Sequence, residues 1–95
     1  MARSEAPRIV VYRDGDTWIA QCLEHDIAAQ AHDLRELQHR MSVALEAERQ
    51  ETLTRFGEEF SGIDPAPQEF FDMYEECTGT YTPRGEDQYE LAMCA

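Results

Sequence analysis

Lysine and asparagine are both missing from the 95 residues, so every one of the eight basic side chains is arginine. Neither gap carries a functional conclusion, but other scarcities do. No apolar stretch approaches the roughly 18 residues a membrane span requires, and no hydrophobic signal segment follows Met1 to Pro7, so export and membrane insertion are not expected. Cysteines are few: Cys22, Cys77 and Cys94 are odd in number, far apart and form no CxxC pair. They are therefore expected as buried or half-buried thiols in a reducing cytoplasm, with neither a disulfide framework nor a structural zinc site. No glycine-rich phosphate loop, GxSxG elbow or HExxH pair occurs. Positive charge is scarce as well. Twenty acids against eight bases give a net charge of −12 and disfavour nucleic acid and anionic lipid as partners.

What is present fits one small folded domain over residues 1–95. Apolar residues make up 42% of the chain, enough for a core, and the length is too short for two cores. Charge divides the domain into two parts. Residues 8–56 read as strands and a long helix, and residues 57–95 as an acidic loop, a short helix and a final strand. Residues 1–56 hold ten acids and seven arginines, whereas residues 57–95 hold ten acids and Arg84 alone. The second part is where a basic partner could dock, and Glu58, Glu59, Glu75 and Glu76 are the candidate partner-facing acids.

The run from Arg8 to Arg13 is β-branched and aromatic, and it ends at the turn Asp14-Gly15-Asp16. Thr17 to Leu23 forms the return strand, and Ile27 to Ala31 a third strand after the polar break Glu24-His25-Asp26. Both faces of these strands carry apolar residues, so the second face must meet a later segment or another copy. Val10, Tyr12, Trp18 and Ile19 are the candidates for self-association, as a homodimer or higher homo-oligomer, with core packing the ordinary role of Trp18.

Asp33-Leu34-Arg35-Glu36 resembles a capping box, apolar residues follow at helical spacing, and Gly57 stops the pattern. The predicted helix of about 23 residues has almost no apolar face from Glu46 to Thr52, so it packs with its first half and projects with its second. Pro65 and Pro67 make a loop. Gln68 to Cys77 reads as a short helix with Phe70, Phe71, Tyr74 and Cys77 along one side, packing on the sheet, and Gln88 to Ala95 as a last strand. The expected fold is α+β, in the order β-β-β-α-α-β, with an antiparallel three- to four-stranded sheet against a long helix.

The stretch from Val10 to Ala31, continued by Asp33-Leu34-Arg35-Glu36-Leu37, resembles the HicB-like antitoxin family and covers about half the chain. The resemblance implies a three-stranded meander, a long helix and a closing strand, a partial ribonuclease H-like fold stripped of its active site. It also implies a protein that binds and blocks HicA-type toxins, small basic ribonucleases acting on messenger RNA. The chain departs from the family pattern at Leu23-Glu24-His25-Asp26, where a Pro-Gly segment is usual, and at Ala31, where glycine is usual. Residues 57–95 show no DNA-reading helix, so operator binding is not carried over.

The expected function is that of a non-enzymatic, cytoplasmic antitoxin-like protein that sequesters a basic protein partner, without catalytic residues or cofactor. Two other readings stand beside it. One is a small metal-binding protein or enzyme centred on Glu24-His25-Asp26, with His25 and Asp26 as weak metal candidates beside Cys22 and His32. Asp14, Asp16, Glu24 and Asp26 could in principle serve a residual nuclease, although turn chemistry alone explains Asp14 and Asp16. The other is a structural homo-oligomer with no toxin partner. His39 is expected to face solvent.

Overall fold

The computed structural model describes residues 7–77 and 90–94. Its elements follow in the order β1 (Arg8–Asp14), β2 (Thr17–Cys22), β3 (Ala28–Ala31), α1 (Leu34–Phe56), α2 (Gln68–Glu76) and β4 (Glu90–Cys94). The hairpin joining β1 to β2 has a two-residue loop. Gly15 occupies its first position at φ 64°, a conformation available to glycine without a Cβ clash.

The four strands form one sheet in the order β3-β2-β1-β4. β1 pairs antiparallel with β2, and β2 antiparallel with β3, as the meander requires. β4 joins the free side of β1 in parallel. The sheet is therefore mixed, which corrects the expectation of a purely antiparallel one. The physical reason lies in the connection. A tight turn can only reverse a strand, whereas the long crossover through α1 and α2 brings the chain back in the original direction.

Alternation along the strands sorts the side chains onto two faces. Ile9 and Val11 of β1, Ala20 and Cys22 of β2, Ala31 of β3 and Leu37, Met41 and Leu45 of α1 form the main core cluster, with Trp18 and Met93 packed against it. Ile9 and Cys22 lie opposite each other in the register, as do Val11 and Ala20. The helix α1 packs here, over β3 and β2. The opposite face carries Val10, Tyr12, Ile19, Ala92 and Cys94, and α2 lies on it over β1 and β4. A single chain thus places one helix on each side of the sheet, and the second apolar face meets a later segment.

Both ends of α1 have a local cause. Asp33 accepts a hydrogen bond from the Glu36 amide at 2.7 Å, and Gly57, at φ 80°, donates its amide to the Leu53 carbonyl at 2.8 Å. Only Leu37, Met41, Leu45 and Thr52 of α1 are buried, so the first half supplies the packing face. The second half is held by the returning chain. Thr52 Oγ1 donates to the Glu48 carbonyl and accepts from the Phe60 amide at 2.6 Å. The returning segment then crosses the end of the sheet, where the Asp26 amide donates to the Asp64 carbonyl and the Ala66 amide to the Leu23 carbonyl.

The three cysteines do not remain three thiols. Cys77, at the C-cap of α2, and Cys94, in β4, are joined in a disulfide with Cα atoms 5.5 Å apart. Cys22 alone is free, and it is buried. The pairing follows from the parallel addition of β4, which sets Cys94 beside Tyr12 on the face that α2 covers.

Candidate functional site

The polar turn between β2 and β3 is the first candidate. Glu24 spends both carboxylate oxygens on one residue: Oε1 accepts from the Arg8 amide at 2.8 Å and Oε2 from Arg8 Nε at 2.5 Å. Asp26 accepts from Gln21 Nε2 at 2.9 Å, and that same amide group donates to the Cys22 carbonyl. His25 stacks on Phe60, with ring centroids 4.2 Å apart and planes 14° apart. Burial lowers its pKa, against the opposing pull of Glu24. Cys22 is fully buried, and desolvation pushes its thiol up to about 11, the reverse of what a nucleophile or metal ligand needs. His32 is exposed beyond β3.

These side chains diverge. Among the described residues no three His, Cys, Asp or Glu groups come together at a distance suited to a metal ion. Asp14 and Asp16 lie at the hairpin end of β2, while Glu24 and Asp26 follow its other end. Six residues at about 3.3 Å each keep the two pairs apart. The turn is built as a structural joint in which Arg8, Gln21 and Phe60 occupy the groups that could do chemistry.

The second candidate is α2. Its residues divide between two sides. Phe70 meets Tyr12 at 6.1 Å between ring centroids, and the Arg8 guanidinium lies 5.5 Å from the Phe71 ring centroid and 5.6 Å from that of Tyr74. Glu69, Asp72 and Glu76, at i, i+3 and i+7, are all exposed on the other side, with Glu75 exposed beside them. Burial, with Asp14 and Glu69 nearby, pushes the Tyr12 phenol up. Glu58 and Glu59 are exposed just after α1, and Glu59 is engaged by Arg49 at 3.0 Å. From residue 57 to residue 77 the sequence itself holds no basic residue, and the cations that reach this surface come from other elements, Arg49 on Glu59 and Arg8 near Glu75.

No family model, curated protein or solved structure matches the chain. The residues themselves must carry the functional reading.

The four sheet residues named from the sequence do not share one face. Val10, Tyr12 and Ile19 lie on the α2 side, where Val10 is fully buried within the single chain and Tyr12 and Ile19 are half-buried. Trp18 lies on the α1 side, packed against the core, with the Arg13 guanidinium 5.3 Å from its ring centroid. The part of the α2-side face left outside α2 runs over β2 and β3, where Ala28 and Gln30 are exposed next to Ile19. Phe70, Phe71 and Tyr74 turn toward the sheet as their spacing predicts, and His39 is exposed. Sequence reasoning missed Arg8 and Thr52. Each works through a partner at least eight residues away, which no local pattern announces.

Proposed function

We propose that this chain is a non-enzymatic, antitoxin-like binding protein that captures a small basic protein, of the HicA-type ribonuclease class that the family resemblance implies. The observation that carries the reading is the outward side of α2. It presents Glu69, Asp72, Glu75 and Glu76 to solvent, on a helix anchored to the sheet by its aromatic side, in a stretch without a single cation. Such a surface speeds encounter with a cationic partner and competes for the side chains with which that partner holds RNA phosphates. The meander, long helix and closing strand are the elements the HicB resemblance implies, and they support it. This reading places the protein in the cytoplasm. The open strip of Ile19, Ala28 and Gln30 beside α2 is the surface left for a second copy.

The test is direct binding of a small arginine- and lysine-rich ribonuclease of the toxin class to the full chain, followed by inhibition of its RNA cleavage. Capture at about 50 mM salt that weakens at about 300 mM is expected. Replacing Glu69, Asp72 and Glu76 together by glutamine should slow association roughly tenfold, because the steering charge is lost while the aromatic side is untouched. Failure of basic proteins to bind at either salt, or equal binding by the triple variant, would remove the reading.

A further inference from the structure

Of all the described elements, α2 is the least able to hold itself in place. None of its nine residues is buried, and Pro67 at its N-cap supplies no side-chain acceptor. Glu75 and Glu76 sit in its last turn, where the helix dipole disfavours negative charge; the turn has no basic residue of its own, and Arg8 of β1 is the cation that acts on Glu75. Helices of this length do not persist alone in water. Its attachments include the Tyr12–Phe70 contact, the Arg8 guanidinium over Phe71 and Tyr74, and the bond from Cys77 at its C-cap to Cys94 on β4. Among the described residues that bond is the only covalent tie between the helix and the sheet, and it lies at the C-terminal end, where the dipole disfavours Glu75 and Glu76.

Two further observations bear on the same bond. Cys77 and Cys94 are both only half-buried, so a reductant can reach them. The remaining cysteine, Cys22, is fully buried in the cluster on the opposite face, and its thiol is held protonated, so it does not exchange with the pair. The main core cluster includes no residue of α2. Loss of the helix from the sheet therefore leaves that core with its packing partners.

We propose that the Cys77–Cys94 disulfide is a redox latch: reduction frees α2 from the sheet and uncovers the apolar strip of Val10, Tyr12 and Ala92, while the meander and α1 stay folded. The chemistry is ordinary dithiol exchange. A thiolate of a dithiol reductant attacks one sulfur of the pair and forms a mixed disulfide, releasing the other cysteine as a thiolate that takes up a proton. The second thiolate of the reductant then displaces the first cysteine, which is protonated in turn. Two electrons pass from the dithiol to the pair, and the reductant leaves as its own disulfide. The proposal does not depend on the identity of any binding partner.

Hydrogen exchange on the full chain tests it, comparing air-oxidised protein, protein in excess dithiothreitol, and the Cys77→Ser/Cys94→Ser double variant. Reduction should speed exchange of the α2 amides by at least about tenfold, with less than about threefold change in β1 and β2. The double variant should exchange like the reduced protein and ignore the reductant. Unchanged protection of α2 on reduction would overturn the proposal. So would equal loss of protection in β1, β2 and α2, which would make the bond a staple of the whole fold, or an oxidised chain whose mass shows three free thiols.

Discussion

At the scale of single residues, two side chains settle how the returning chain is fixed. Thr52 is 4% exposed in a stretch of helix with almost no apolar face, and its hydroxyl serves the Phe60 amide as acceptor. Phe60 needs that help because its φ is 62°, a left-handed conformation costly for a bulky residue. Thr52→Val removes the acceptor at nearly constant shape and strands the amide. A loss of about 1–3 kcal/mol in urea unfolding is expected, and Thr52→Ser should recover most of it. His25, stacked on the same Phe60, gives the turn a pH dependence. Its pKa is lower in the folded protein than the ordinary value of 6.5, so the unfolded chain takes up the proton first. Stability should then be full above pH 6.5 and decline as the pH falls below it. Replacing His25 by Phe should flatten that part of the stability–pH curve. A curve that keeps its slope in the variant would assign the effect to the carboxylates instead.

At the scale of elements, legibility followed locality. The ends of α1 were readable because Asp33 and Gly57 act within one turn of the helix, and the β1–β2 hairpin because Gly15 sits in the turn itself. The two sides of α2 were readable from the spacing of Phe70, Phe71 and Tyr74. The parallel attachment of β4 was not, since nothing in Glu90 to Cys94 specifies which edge it joins or in which direction. The Cys77–Cys94 bond depends on that attachment and was hidden with it. In the candidate turn, the residue types allowed metal chemistry while their spacing favoured a polar connection between strands, and only the fold shows that Glu24 belongs to Arg8 and Asp26 to Gln21. Arg8 links three elements, β1, the β2–β3 turn and α2, through one guanidinium. With that side chain 36% exposed, its removal as Arg8→Gln should cost only about 1 kcal/mol overall, after allowance for solvent screening. The loss should be concentrated in α2, and a change in tyrosine fluorescence or near-UV circular dichroism is the measurement to follow.

At the scale of the whole molecule, charge dominates. A net charge of −12 on 95 residues sets like charges against one another throughout the folded chain, and the ion pairs at Arg8, Arg40, Arg49 and Arg55 offset only part of it. Screening should therefore stabilise the protein. Raising sodium chloride from about 0.05 M to about 0.5 M is expected to lift Tm by a few degrees. A fall in Tm would show that the internal pairs outweigh the repulsion. Self-association belongs to this scale too, and sedimentation at micromolar concentration checks it. With Val10 buried, the Ile19, Ala28 and Gln30 strip and the edge of β3 are the parts of the meander open to a second copy.

The sheet order has a consequence for biosynthesis. Of the four strands of this sheet β1 leaves the ribosome first, yet it gains its second neighbour only when β4 has been made. Until then the growing polypeptide carries a hydrophobic strand, with Ile9, Val10 and Val11 in succession, whose outer row of amides and carbonyls has no mate. Nascent chains stalled before residue 90 should for that reason be the ones most prone to stick to chaperones or to each other.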